Sequence, residues 1–173
     1  MDSIKTRGYP EIRLLEANTP ELREKAALLY RGNPHDFVNP PFSAEKILSM
    51  EKKGYRYFLI ENTEVRVVGM CGLRMNEQDR EAKSAYLCSL LILPEFRGNN
   101  YGPASTIERE RIAKGLGAEV MTAGVDWNNA PAIKNYLELG YVQRKLPRIW
   151  LDIGNIFQGR RFFYFLRGFR KKF

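Results

Sequence analysis

Hydrophobic positions recur along this chain with two periods, and the switches between them mark out its elements. Residues 11–16 alternate as a first strand. Thr19-Pro20 then supplies an N-cap and a proline at the first helical position. Leu22, Ala26, Leu29 and Tyr30 follow at helical spacing, which predicts a helix to about Arg31. Residues 32–42 are rich in Pro, Asn and Gly and read as a loop. Ser43 caps a second helix to about Lys52, with Ala44, Ile47 and Leu48 on its buried side. Residues 55–61 and 65–75, joined by Asn62-Thr63-Glu64, predict an antiparallel hairpin. After a charged link over 76–83, residues 85–93 are apolar nearly throughout, as a central strand buried on both faces would be. A helix is predicted from near Pro103 to Gly115 or Gly117, then a strand over 119–125. A further helix over 130–139 closes with Gly140 as its C-cap. Residues 141–142, 148–153 and 161–166 supply the last strands.

The expectation is a single α/β domain over residues 1–173, with a mixed, mostly antiparallel sheet of about seven strands flanked by about four helices. Its core spans about 11–168, and residues 169–173 form a basic tail. At 173 residues the chain can bury a substantial core without disulfides or metal. Cys71 and Cys88 fall in strand-like segments and read as reduced, buried thiols. One histidine and two cysteines argue against a closed zinc site. No apolar run approaches the roughly 20 residues a membrane helix needs. The charged N-terminus also lacks a signal-peptide core. The expected setting is therefore cytoplasmic, with no membrane partner.

Net charge changes the picture more than composition does. The formal charge is +8, and residues 153–173 hold Arg160, Arg161, Arg167, Arg170, Lys171 and Lys172 with no acid. Such a patch favours anionic partners, whether nucleic acid or a polyphosphate cofactor; it is equally what a solvated face looks like.

The candidate chemistry sits at the end of the central strand. Residues 90–102 read Leu-Leu-Ile-Leu-Pro-Glu-Phe-Arg-Gly-Asn-Asn-Tyr-Gly, so a buried strand runs into a small-residue turn at a helix start. Free N–H groups of a first helical turn and the helix dipole together favour a phosphate. Arg97 adds a cation, Gly98 allows close approach, and Asn99 and Asn100 tolerate positive φ. Gly102 and Pro103 open the helix. This is neither a Walker A loop nor a GxGxxG fingerprint. A second constellation follows at Asn129, Ala132 or Ile133, and Tyr136, which share one helical face. Ala132 leaves room on that face, and Asn129 and Tyr136 offer it polar groups.

Together these segments resemble the GNAT superfamily of N-acetyltransferases. The first motif is Arg97-Gly98-Asn99-Asn100-Tyr101-Gly102; the second is Asn129, Ala132, Tyr136, then Gly140-Tyr141. The order of elements over 11–168 is similar too. The resemblance implies acetyl-CoA as co-substrate and no metal. It puts the backbone of Leu91, Ile92 and Leu93 along the pantetheine arm. The amides from Arg97 through Gly98, Asn99, Asn100, Tyr101 and Gly102 would take the pyrophosphate. Asn129, Ala132 and Tyr136 would flank the arm's other side. It also implies direct attack by an amine on the thioester, with Tyr136 as general acid. Two departures stand out: Asn100 replaces a usual glycine, and Pro103 removes one N–H from the helix start.

No general base is evident. Tyr86, Cys88 and Leu90 occupy the central strand where some relatives carry a glutamate, and Asp126, acting through a water, is the candidate. In the family the acceptor is held by the first helices, their loop and the last strands. Here those hold His35, Asp36, Phe37 and Phe42, and the segment 144–161. The leading expectation is acetylation of a small amine, an amino acid or a peptide N-terminus. Acetylation of aminoacyl-tRNA or of a nucleic-acid-associated protein is the alternative, and a non-catalytic CoA-binding protein is a third. The sequence leaves room for a homodimer.

Overall fold

The computed structural model describes residues 8–33, 43–76, 83–126, 128–144 and 166–173. Seven strands form one sheet in the order β1-β2-β3-β4-β5-β7-β6. They are β1 (Ile12–Glu16), β2 (Tyr55–Asn62), β3 (Val67–Asn76), β4 (Ser84–Ile92), β5 (Val120–Asp126), β6 (Val142–Arg144) and β7 (Leu166–Lys172). Every neighbouring pair is antiparallel except β4 with β5. The helices are α1 (Pro20–Gly32), α2 (Ala44–Glu51), α3 (Tyr101–Gly115) and α4 (Ala130–Glu138).

Local chemistry sets most boundaries. The Leu22 N–H donates to Thr19 Oγ1 at 3.3 Å and the Lys46 N–H to Ser43 Oγ at 3.2 Å, so α1 and α2 start where their caps sit. The hairpin turn is fastened by Asn62, whose Oδ1 accepts from the N–H groups of Glu64 at 3.1 Å and Arg66 at 2.9 Å. Gly140, at φ 82°, ends the α4 turn as a left-handed C-cap.

Alternate residues of the sheet feed two cores. Phe58, Ile60, Leu73, Leu87 and Met121 point to the face covered by α3 and α4. Tyr57, Leu59, Met70 and Leu91 pack with Ala26, Ala27, Tyr30 and Ile47 of α1 and α2. A sheet buried on both sides explains the near-continuous apolar run in β4.

The chain end departs from the sequence reading. Residues 169–173 read as a basic tail, yet Leu166–Lys172 is β7, an interior strand bonded to β5 on one side and β6 on the other. One of its cations is paired locally, Lys171 Nζ donating to Glu110 at 2.9 Å. A strand that carries basic residues at most positions gives no apolar alternation to read. Of the other terminal strands expected, 148–153 lies outside the described residues, and 161–166 is described only at Leu166.

Candidate active site

The parallel ladder between β4 and β5 is short. It runs from Ser84 opposite Val120 to Leu87 opposite Ala123 and stops there. β5 continues to Asp126 along β7, whereas the β5-facing edge of β4 beyond Leu87 has no strand partner among the described residues. The two strands therefore diverge into a cleft at their C-terminal ends. Beside it β4 carries an extra residue: Cys88 opposes Gly72 and Leu91 opposes Met70, with Ser89 at φ 54° between them. This bulge turns backbone groups out of the ladder. It is possible because Gly69 lets β4 come close, since a Cβ there would sit 2.1 Å from the Leu91 carbonyl oxygen. Tyr30 of α1 and Tyr57 of β2 bring their hydroxyls towards Ser89.

At the cleft mouth, β4 leads into a single 3₁₀ turn, Pro94–Phe96, and then α3. Arg97 folds back, its Nε donating to the Ile92 carbonyl at 2.9 Å. Asn99 Nδ2 lies 3.3 Å from the Phe96 carbonyl oxygen and 3.4 Å from that of Arg97. Gly98 and Asn100 take φ of 79° and 61°, and the Ala104 N–H closes the first helical bond on the Asn100 carbonyl at 3.1 Å. The N–H groups of residues 98–102 find no backbone acceptor among the described residues. Such N–H groups at the positive end of a helix suit an anion. Asn100 thus adopts the left-handed conformation that a glycine would supply, at lower cost than most residues. Pro103 falls at the third helical position and removes one donor.

α4 follows β5 and packs against α3 and β6. Asn129 serves as its N-cap, Oδ1 accepting from the Ala132 N–H at 3.1 Å. The sequence reading gives Asn129 to the ligand arm; in the structure its carbonyl oxygen is engaged by the helix. Asn135, missed in the sequence, is nearer the turn: its Nδ2 lies 3.4 Å from where a Gly102 Cβ would be. Ala132 is half-buried, and Tyr136 is only 7% exposed.

Behind Tyr136 lies the feature that sequence reasoning did not find. Arg109 of α3 is completely buried, and the groups it donates to are neutral. Nη1 donates to the carbonyls of Gly72 at 3.1 Å and Cys88 at 3.3 Å, Nε to Ser105 at 3.2 Å and Nη2 to Thr106 Oγ1 at 3.2 Å. It also hydrogen-bonds the Tyr136 hydroxyl. Because guanidinium only donates, the phenol oxygen accepts this bond. Burial pushes the Tyr136 phenol above its ordinary range, and the Arg109 charge opposes that shift. Tyr141 packs edge-on against Tyr136, ring centres 5.0 Å apart. The signal for Arg109 lay in its neighbours: Ala104, Ser105, Thr106 and Ala113 are small, buried residues that put Arg109 on the inner face of α3.

The remaining expected residues are distributed as follows. Leu91 and Ile92 end β4, Leu91 buried towards α1 and α2, and the N–H of Leu93 is taken by the Val68 carbonyl at 3.0 Å. Tyr101 packs edge-on against Phe96. Asp126 is the last residue of β5. His35, Asp36, Phe37, Phe42 and most of 144–161 lie outside the described residues. Burial pushes the Cys71 and Cys88 thiols up to about 11, so neither is a ready nucleophile. No described helix is long and apolar enough to cross a membrane.

This architecture is shared with known proteins. Mutant forms of the Vibrio cholerae spermidine/spermine N-acetyltransferase SpeG match with a TM-score of 0.68 at 16% identity, over 93% of each chain. A structure of the Vibrio cholerae spermidine N-acetyltransferase with CoA and spermine gives 0.66 at 16% identity, over 94% of each. The NatC complex bound to Gag peptide and CoA gives 0.66 at 11%, over 95% of this chain and 99% of that one. At these identities the likeness is one of fold. No curated protein matches the chain. The family model for the acetyltransferase (GNAT) family matches residues 19–141, and with the splayed strands and the turn into α3 in place, the chain belongs to the GNAT acetyltransferase family.

Proposed function

We propose that this chain transfers the acetyl group of acetyl-CoA to a primary amine by direct attack. The observation that carries this reading is Tyr136 of α4, only 7% exposed and hydrogen-bonded to the buried Arg109. The donor set suits the co-substrate: amides of residues 98–102 for the diphosphate, and the open edge of β4 for the amide-rich arm. Bound there, acetyl-CoA supplies an activated thioester carbonyl.

The chain's own residues have three tasks. Backbone N–H groups near the Ser89 bulge face charge that develops on the carbonyl oxygen, an interaction whose loss costs about 2.7–4 kcal/mol in comparable sites. Tyr136 gives its proton to the sulfur as the C–S bond breaks. Arg109 then stabilises the phenolate left behind until the phenol is reprotonated. Asp126, at the end of β5, accepts the amine proton through a water, a step that is dispensable for an amine that arrives neutral.

Two alternatives remain. The non-catalytic reading rests on the missing base and on the Asn100 and Pro103 departures, of which Asn100 adopts the left-handed backbone that a glycine would supply. The nucleic-acid reading rests on the basic C-terminus, where one cation, Lys171, is paired with Glu110.

Free-thiol release from acetyl-CoA across an amine panel tests the reading. Tyr136→Phe should keep CoA affinity and lower kcat by roughly 10²–10⁴-fold. An undiminished kcat in that variant removes Tyr136 from the acid role, and a lack of calorimetric heat with CoA removes the function.

A further inference from the structure

The turn that ends α4 decides where the ring of Tyr141 lies. Gly140 takes φ 82°, and the Tyr141 N–H donates back to the Tyr136 carbonyl at 2.9 Å. This reversal brings residue 141 beside the side chain five positions earlier. The two rings meet edge-on, centres 5.0 Å and planes 68° apart. Such a pair is directional, so each ring limits the rotation of the other.

The hydroxyl of Tyr141 reaches into a charged cluster that the function above does not use. It is buried and faces the Glu110 carboxylate of α3. Glu110 is buried too, and Lys171 of β7 donates to its two oxygens at 3.2 and 2.9 Å. The Lys171 ammonium also lies 5.5 Å from the centre of the Tyr141 ring. Burial pushes the Tyr141 phenol well above its ordinary range, and the Glu110 charge adds to that, so the phenol stays a donor towards the carboxylate. A phenylalanine would fill the same space with no polar group to satisfy. The hydroxyl adds an anchor.

Arg109 and Glu110 are consecutive on α3 and serve the two rings separately. Arg109 hydrogen-bonds the Tyr136 hydroxyl, and Glu110 faces that of Tyr141. α4 has nine residues, and a helix that short depends on tertiary ties for its orientation. A tyrosine side chain turns about χ1 and χ2. Arg109 fixes where the Tyr136 oxygen ends, and the edge-on contact fixes the plane of its ring.

We propose that Tyr141 and Glu110 are positioning residues for proton transfer, acting through Tyr136: Lys171 holds Glu110, Glu110 anchors the Tyr141 hydroxyl, and the Tyr141 ring keeps that of Tyr136 at the angle where Arg109 meets its oxygen. This rests on the acetyl-transfer reading and extends it from the acid to the residues that orient it. A general acid works only within hydrogen-bond reach of the atom it protonates, and a displacement of about 1 Å costs on the order of 10²-fold.

The test is a double-mutant cycle read as thiol release at saturating acetyl-CoA, with n-butylamine, spermidine, 4-aminobutanoate and glycylglycine as acceptors. Tyr141→Phe keeps the ring and removes the anchor. Its kcat should fall about 3–10-fold, with KM for acetyl-CoA and the calorimetric Kd for CoA unchanged. Tyr141→Leu removes the ring as well and should lower kcat about 10–100-fold. Glu110→Gln, which keeps an oxygen for the Tyr141 hydroxyl, should retain more of kcat than Glu110→Ala. The deciding arm repeats Tyr141→Phe in a Tyr136→Phe background. With no hydroxyl left to orient, the second substitution should leave the residual kcat unchanged, whatever it does to Tm. Where Tyr141→Leu does not fold, the phenylalanine arms decide alone. A full kcat in Tyr141→Phe, or the same fractional loss with and without the Tyr136 hydroxyl, overturns the inference while acetyl transfer stands. An undiminished kcat in Tyr136→Phe overturns it together with the acid role. An absence of thiol release with every amine overturns the acetyl-transfer reading and this inference with it.

Discussion

Replacing Arg109 by methionine separates a catalytic contribution from a structural one. The side chain is fully buried and donates to the carbonyls of Ser105, Gly72 and Cys88 and to Thr106, besides Tyr136. Methionine fills similar volume and removes all these donors. Each buried acceptor left unsatisfied costs about 1–3 kcal/mol. Removing an unpaired buried charge returns part of that, because its desolvation penalty disappears as well. The net loss of stability should be about 1–3 kcal/mol, a fall in Tm of about 3–10 °C for a chain of this size. The catalytic part is independent of that sum. A hydrogen bond to a charged group contributes about 1.5–3 kcal/mol, so losing the guanidinium beside a forming phenolate should lower kcat by about 10–150-fold. The sign of the pH effect follows. Arg109 favours the deprotonated phenol, so its removal raises the Tyr136 pKa further, and the alkaline limb of kcat, where the acid form is lost, moves to higher pH. The assay is kcat against pH by thiol release at saturating acetyl-CoA, with calorimetric Kd for CoA and Tm measured in parallel. Arg109→Lys, which keeps a charge, should recover much of kcat. A variant with lowered Tm but unchanged kcat and an unmoved alkaline limb would refute the role, leaving Arg109 as packing alone.

Three further outcomes are expected. Tyr136→Phe keeps CoA affinity and loses kcat, as thiol release at saturating acetyl-CoA will read. At Asn100, which holds φ 61°, glycine should be tolerated, whereas valine should cost about 1–2 kcal/mol and weaken CoA binding; equal Tm and Kd for the two variants would contradict a strained turn. Glu110→Ala leaves Lys171, 28% exposed, without the partner it now holds at 2.9 Å. Half-buried pairs contribute less than fully buried ones, so a loss of about 2 kcal/mol is expected, read as Tm, with CoA affinity untouched.

Much of this molecule is written in short-range chemistry that a sequence displays. Thr19, Ser43 and Asn129 each start a helix through a side-chain oxygen, and Gly140 ends one, so those boundaries were legible. The strand–turn–helix at 90–102 was legible for the same reason, because Gly98 and Asn100 are residue types that admit the backbone found there. Asn129 shows the limit of that approach. Its residue type fits both a cap and a ligand contact, and only the 3.1 Å bond to Ala132 decides where its oxygen goes.

What the sequence concealed is polar chemistry satisfied by partners far along the chain. β7 reads as a charged tail because its lysine at 171 finds Glu110 on α3, 61 residues away. Arg109 lies in Ile107-Glu108-Arg109-Glu110-Arg111, a run that resembles a solvated helix face. Its reach to Gly72, 37 residues earlier, makes it the interior. The bulge at Ser89 is hidden likewise, since its cause is the missing side chain of Gly69 on the neighbouring strand. These concealed features converge on one place: the same β4 segment is buckled at Ser89, tethered at the Cys88 carbonyl by Arg109, and released from β5 after Leu87. A residue that fixes both the strand's backbone and the oxygen of the proposed acid couples the shape of the cleft to its chemistry. Substitutions at Arg109 and Gly69 should therefore shift thioester positioning and proton delivery together, whereas Asn100 variants should act on stability and CoA affinity and leave proton delivery unchanged.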